Sequence, residues 1–128
     1  MDPLFLTLDE VLALHADQIR RYGGTDGLRD LDLLHSAVAV PRSTFDGELL
    51  HETVWEMAAA YLYHSARNHP FLDGDKRTAL ASCLAFLWLN DQRNEAGEDE
   101  LTNLVLGVAD GSVSKAQAAV FLEERARP

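Results

Sequence analysis

Hydrophobic residues recur along most of this chain at the spacing of an α-helix. They form one amphipathic stripe over residues 11–19, a second over 31–38, and further apolar positions over 101–108 and 120–122. Over about 51–67, and again over 79–89, the residues are apolar on nearly all sides. Helices that are apolar all round lie in the middle of a bundle, so we expect these two segments to be the central helices.

Capping signals support the same division into helices. Thr7 with Glu10 has the capping-box pattern, Asp30 can cap the second helix, and Ser114 with Gln117 can cap the last. The stop signals are Gly23-Gly24, Pro41 and Gly111.

Residues 41–50 differ from the rest of the chain. Ser43, Thr44 and Phe45 have strand propensity, and Asp46-Gly47 is a turn signal, so we predict a short β-hairpin here. The sequence as a whole predicts an all-α bundle of about six helices with this hairpin, formed by one domain over residues 1–128.

Charge and composition exclude several classes of function. The chain is 47% hydrophobic and 25% charged and carries a formal net charge of -10, which disfavours a direct nucleic-acid surface and an anionic membrane surface. The single cysteine, Cys83, gives no disulfide framework, and Met1-Asp2-Pro3 lacks the basic start of a secretory signal. We expect a soluble, cytoplasmic protein.

The densest chemistry lies at residues 69–77, which read His-Pro-Phe-Leu-Asp-Gly-Asp-Lys-Arg. This loop leads directly into the apolar helical run 78–89. The start of a helix presents free N–H groups and the positive end of the helix dipole, so a loop of this content predicts a phosphate site. Phe71 is expected to anchor the loop in the core.

The residue types suit transfer from ATP to a protein hydroxyl. His69 can act as general base near neutral pH. Asp73 can hold a divalent ion, and Gly74 lets the backbone approach a ligand closely. Lys76 and Arg77 can stabilise the negative charge that grows in the transition state.

Each of these residues also has an ordinary structural interpretation. His69 alone would be a surface or capping residue, Asp73-Gly74 a turn, Asp75 an N-cap, and Lys76-Arg77 a solvated basic pair. Their combination at one helix start favours the site.

Other candidate sites are weaker. His64 and His69 are five residues apart with no evident third ligand nearby, which disfavours a zinc site. Gly23-Gly24 and Gly27 lack the lysine of a phosphate loop. The remaining histidines are interpreted as ordinary helical or surface residues; they are His15, His35 and His51.

The run 69–77 resembles the signature of the Fic/Doc family in its death-on-curing form, His-x-Phe-x-Asp-Gly-Asn-Lys-Arg. Residues 15–41 are also similar to the family's N-terminal half, through Tyr22-Gly-Gly24, Gly27-Leu-Arg-Asp30 and Pro41. The resemblance implies the all-α Fic fold, with ATP as co-substrate and Mg²⁺ as cofactor. It also implies that the 41–50 hairpin is a flap that aligns a target peptide by strand addition.

The resemblance also implies roles for individual residues. His69 would be the base, with Lys76 and Arg77 as further catalytic residues, and Asp73 would be the magnesium ligand. The nucleotide-binding set would be Phe71, Gly74, Asp75, Lys76 and Arg77.

Two positions resemble the death-on-curing branch in particular. Lys76 stands where AMP-transferring relatives have a second glycine, and Leu80 where they have a further arginine. That branch is known for a toxin that phosphorylates elongation factor Tu on a threonine and is paired with an antitoxin. The self-inhibitory motif of some relatives is absent, so we expect inhibition to come from a separate, cognate antitoxin. The resemblance also implies a protein target and growth inhibition through blocked translation. The alternatives are AMP transfer and a catalytically impaired module that only binds a partner.

One residue departs from the family pattern, because position 75 is Asp where the family has Asn. An Asp caps a helix as well as an Asn does. A carboxylate, however, donates no hydrogen bond and repels phosphate at short range, or it could share the metal ion.

Overall fold

The computed structural model describes residues 2–127. Within this range the chain forms six α-helices and two small antiparallel β-ladders, as the all-α prediction with a hairpin required. The helices are α1 (Leu8–Tyr22), α2 (Leu31–Ala39), α3 (Val54–Asn68), α4 (Asp75–Leu89), α5 (Glu98–Asp110) and α6 (Lys115–Glu124). The strands are β1 (Thr44–Phe45), β2 (Glu48–Leu49), β3 (Arg93–Asn94) and β4 (Ala126–Arg127), and a 3₁₀ turn, Val40–Arg42, follows α2.

Helices α3 and α4 are the centre of the bundle, as their apolar pattern predicted. They pack against each other most extensively, and α3 also contacts α2, α5 and α6. Three consecutive alanines on α3, residues 58–60, are fully buried, and Phe86 and Cys83 on α4 are buried as well. Small side chains allow the two helices to approach closely, so the loop between them has a rigid support.

The predicted caps are present. Thr7 and Glu10 form a reciprocal capping box at α1, as Ser114 and Gln117 do at α6. The Asp30 side chain accepts a hydrogen bond from the first turn of α2. In the described chain no helix is long and apolar enough to cross a membrane.

The predicted hairpin is formed by β1 and β2, with Thr44 opposite Leu49 and Phe45 opposite Glu48. Its turn residues, Asp46 and Gly47, both have positive φ, as a two-residue hairpin turn requires.

A second ladder was not predicted. Strand β3 pairs with β4, which joins the segment after α4 to the C-terminal end of the described chain. Both strands have two residues and are largely polar, so they carry no alternating pattern from which a strand could be inferred.

Candidate active site

The loop 69–74 connects the two central helices and turns sharply at both ends. His69 ends α3 with φ of 50°, and Gly74 precedes α4 with φ of 80°, so both lie in the left-handed region. Pro70 and Phe71 between them are buried, whereas the His69 side chain is 57% exposed. The buried Pro70 and Phe71 therefore anchor the loop in the core, while the His69 side chain faces solvent.

The segment 23–30, between α1 and α2, holds this loop in place through backbone hydrogen bonds. Arg29 N–H donates to the Pro70 carbonyl at 2.8 Å, and Leu72 N–H donates to the Gly27 carbonyl at 3.0 Å. The Arg29 guanidinium adds a bond from Nε to the His69 carbonyl at 2.6 Å. The N-terminal half that resembles the family is thus part of the support for the loop.

His15 is a structural member of the site, and its interpretation as an ordinary isolated residue was wrong. The ring is buried and stacks on Phe71 with centroids 3.7 Å apart and an interplanar angle of 3°. His15 Nε2 lies 2.8 Å from the Asp73 carbonyl, and because a carbonyl only accepts, the imidazole donates this bond. Phe71, only 2% exposed, has the anchoring position expected for it.

Asp73 is exposed and its carboxylate is held in one orientation. Oδ1 accepts from Gly74 N–H at 2.9 Å, and Oδ2 accepts from Thr25 N–H at 3.2 Å. A carboxylate has about four acceptor positions, so lone pairs remain for a cation. Gly24 leaves room here, since a Cβ at that position would lie 2.8 Å from Asp73 Oδ2. The donor type and orientation fit a Mg²⁺ ion.

The start of α4 lacks a capping side chain. Its N-cap is Gly74, and the first helical backbone bond is from Thr78 N–H to the Gly74 carbonyl at 3.0 Å. The N–H groups of Asp75, Lys76 and Arg77 precede that bond in the first turn, so no α-helical carbonyl is available to them. A helix start in this condition can bind an anion through backbone N–H groups.

The two cations of the loop differ in their surroundings. Lys76 is exposed. Arg77 is half-buried: its Nη2 donates to the Gly23 carbonyl at 2.8 Å, and its guanidinium lies 5.5 Å from the Tyr22 ring centroid. Arg77 is therefore positioned by the end of α1.

Asp75 is not the N-cap, as its structural interpretation assumed, but the first residue of α4. Its Oδ1 accepts from Phe71 N–H at 2.9 Å, and its Oδ2 lies 3.7 Å from His69 Nδ1. Burial raises the pKa of this carboxyl, while the Phe71 bond and the nearby His69 oppose the rise. The Asp75 carboxylate therefore contacts both the backbone inside the loop and the imidazole of the candidate base.

A cavity of about 440 Å³ lies in front of the loop. Such a volume is within the usual range for small-molecule sites. The structure brings six of the seven predicted site residues to the wall of this cavity. The seventh, Phe71, is buried in the core and does not line the cavity. The six are His69, Asp73, Gly74, Asp75, Lys76 and Arg77.

Helix α5 supplies the opposite wall of this cavity, which sequence reasoning missed. Thr102, Val105 and Leu106 line it. The amphipathic stripe of α5 was visible, but a stripe alone does not show whether a residue faces the core or a cavity. Within residues 2–127 the lining includes no residue of the β1–β2 hairpin.

Two further observations concern the other histidines and possible metal ligands. His51 was interpreted as isolated, but it is buried and its Nε2 lies 3.2 Å from Lys115 Nζ. The described part of the chain holds no group of three His, Cys, Asp or Glu side chains arranged to bind a metal.

The chain is similar in sequence to known proteins of one family. The family model described as "Fic/DOC family" matches residues 5–87. The chain is 35% identical over 111 residues to "Protein kinase doc" of Escherichia phage P1, an alignment that covers 87% of this chain and 86% of that protein. It is 45% identical over 69 residues to "Toxin Doc" of Mycolicibacterium smegmatis, an alignment that covers 54% of this chain and 53% of that protein. The chain belongs to the Fic/DOC family.

Proposed function

We propose that this protein is a toxin that transfers the γ-phosphate of ATP to a serine or threonine hydroxyl of a protein target. The observation that supports this most is the uncapped start of α4, which lies at a cavity shared with His69 and Asp73. The names of the two relatives, a protein kinase and a toxin, support the same proposal.

His69 would act as the general base. Its Nδ1 lies on the side of Asp75, so Nε2 is the ring nitrogen available to a substrate hydroxyl in the cavity. A base that accepts the proton as the oxygen attacks contributes about 10²- to 10⁴-fold to the rate. The exposure of this side chain leaves room for a bulky protein substrate.

The start of α4 would hold the phosphates. Its first-turn N–H groups donate to phosphate oxygens, and Gly74 places no side chain between them and the ligand. Lys76 and Arg77 would add positive charge where the transferred phosphoryl group becomes more negative. In a chain of net charge -10, these local donors are what would make the site attractive to ATP.

Asp73 would hold magnesium, with Thr25 and Gly74 N–H groups fixing the carboxylate from behind. When bound with ATP, the ion neutralises phosphate charge and fixes the phosphate geometry. Asp75, whose carboxylate is directed toward Phe71 and His69, is better placed to orient the loop than to share this ion.

The proposed partners are a protein target, for which elongation factor Tu is the candidate that the resemblance implies, and a cognate antitoxin. The proposed result is blocked translation in the cytoplasm. The β1–β2 hairpin would align the target peptide, since it is a two-stranded sheet whose outer edges are exposed.

Phosphoryl and AMP transfer can be distinguished directly. Purified protein is incubated with magnesium and a bacterial lysate containing elongation factor Tu, using ATP labelled at either the α- or the γ-phosphate. We expect γ-label on one target and none from the α-position. His69→Ala should remove the label, while His35→Ala, at an exposed histidine on α2, should retain it.

Other results would contradict the proposal in specific ways. Label from the α-position would establish AMP transfer. ATP binding without any labelled protein would favour a module that only binds a partner.

A further inference from the structure

A second cluster of ionisable side chains lies away from the candidate active site, where the start of α6 meets α3 and the segment before α3. Lys115, the first residue of α6, places Nζ 3.2 Å from His51 Nε2 and 3.2 Å from His64 Nε2. An ammonium group can only donate hydrogen bonds. When Lys115 is charged, both Nε2 atoms must therefore accept, and both rings carry their proton on Nδ1.

This environment favours the neutral amine. Within residues 2–127 Lys115 forms no ion pair with a carboxylate, and its nearest polar partners are two imidazoles. Burial lowers the pKa of Lys115. Burial also lowers the pKa of His64 to about 4 and that of His51 below its usual value, with the Lys115 charge adding to both effects.

The other charged groups around the cluster are few. Glu56 on α3 and Glu123 on α6 line the same cavity, and Glu56 opposes the fall in the His51 pKa. The Tyr63 ring centroid lies 6.0 Å from Lys115 Nζ. None of these groups is ion-paired with Lys115, so the two imidazoles remain its direct neighbours.

The amine is accessible to a reagent. Lys115 is only partly buried and lines a cavity of about 360 Å³, separate in its lining residues from the cavity at the loop. Part of the wall is apolar and comes from α6, through Ala116, Ala119 and Val120. This combination of a nucleophile, two bases and an apolar wall could accommodate a small acyl group.

We propose that Lys115 is a modification site for activated acyl donors, namely acyl phosphates and thioesters, with His51 or His64 as proton acceptor. The neutral Nζ attacks the carbonyl carbon and forms an amide bond. The bond from that carbon to oxygen or sulfur breaks, and phosphate or thiolate leaves with the electron pair. The proton lost by the nitrogen passes through an imidazole Nε2 to solvent, because the lowered pKa of these rings keeps them neutral at pH 7.

The chain offers a convenient internal comparison, because Lys76 is its only other lysine. The test exposes the whole protein to acetyl phosphate at pH 7, once folded and once in concentrated urea, and follows both lysines by peptide mass spectrometry. We expect Lys115 to be acetylated several-fold faster in the folded protein, because burial lowers its pKa and leaves more of the amine neutral at pH 7. Lys76 should show no such acceleration.

A Lys115 rate that is equal or slower in the folded protein would overturn the proposal. This comparison uses the wild-type chain, so it does not depend on whether any variant folds. It is also independent of the ATP experiment, because acetylation is measured at Lys115 whatever is transferred at the loop.

The proton acceptors are tested by His51→Gln and His64→Gln, alone and together. Glutamine keeps an oxygen that accepts from Lys115 but cannot take up a proton at neutral pH. The double variant should acetylate Lys115 about tenfold or more slowly, with Lys76 unchanged. His35→Gln is the matched control, and a Lys115 rate unaffected by the double substitution would overturn the role of the imidazoles.

Discussion

At the scale of single residues, His69 combines a chemical role with an unusual backbone. The residue has φ of 50°, which alanine tolerates less well than asparagine does. We expect both His69→Ala and His69→Asn to lower transfer at least about 100-fold, since neither side chain is a base. Thermal unfolding should show His69→Asn close to wild type and His69→Ala about 1 kcal/mol less stable. Undiminished transfer in the asparagine variant would remove His69 from the mechanism.

Asp75 provides a sharper test, because asparagine is its isostere. In Asp75→Asn the amide oxygen can still accept from Phe71 N–H, so the loop should keep its conformation. The negative charge near the phosphate site disappears, and the amide N–H₂ becomes a donor. We expect ATP to bind roughly tenfold more tightly, equivalent to about 1.4 kcal/mol. Isothermal titration calorimetry measures this, and equal or weaker affinity would disprove the effect.

The residues of the loop were predictable because their chemistry is concentrated in one short segment. The contacts of His15 were not, since its partner Asp73 is 58 residues away in sequence. The position of Asp75 was also missed, because Asp at the start of a helix usually caps it. Here the preceding glycine holds the N-cap position and the Asp side chain turns back to Phe71.

At the scale of elements, the start of α4 depends on a glycine. Gly74 has φ of 80°, and a Cβ there would lie 3.1 Å from Ile19 Cδ1. We expect Gly74→Ala to destabilise the protein by roughly 1–2 kcal/mol and to weaken ATP binding, because the strained backbone and the added methyl group both disturb the phosphate site.

Gly97 is the matched control for this substitution. It is the N-cap of α5, but its φ is -69° and a Cβ there would lie no closer than 3.9 Å to its surroundings. Gly97→Ala should cost less than about 1 kcal/mol and leave ATP binding unchanged. Urea unfolding and calorimetry compare the two variants, and an equal loss of ATP affinity in both would contradict the role of Gly74.

Helix positions could be predicted from periodicity and caps because both are local properties of the sequence. The hairpin could be predicted as well, since Asp46-Gly47 encodes its turn. The role of α5 as a cavity wall and the β3–β4 ladder could not. Both depend on which distant segments meet, and that is decided by the packing of the whole bundle.

At the scale of the whole molecule, the net charge of -10 predicts that any phosphate site must be local. Charge totals did not reveal the second cluster, in which Lys115 of α6 contacts His64 of α3 and His51 in the segment before α3. These three residues are spread over residues 51–115, and each has an ordinary sequence context. Only the fold brings them together, and their effect on stability follows from that.

This cluster makes the stability of the fold depend on pH. The pKa of His64 is about 4 in the folded protein, against 6.5 ordinarily, so the unfolded chain binds more protons between these values. The stabilisation is complete above about pH 6.5 and is lost as the pH falls toward 4, by at most about 1.4 kcal/mol per pH unit for one histidine.

Urea unfolding between pH 5.5 and 7.5 should therefore show stability rising with pH. The rise should be shallower in His64→Gln, which has no proton to take up, and unchanged in His35→Gln. The two variants share every carboxylate, so a slope that is equal in both would show that the neutral His64 ring does not contribute.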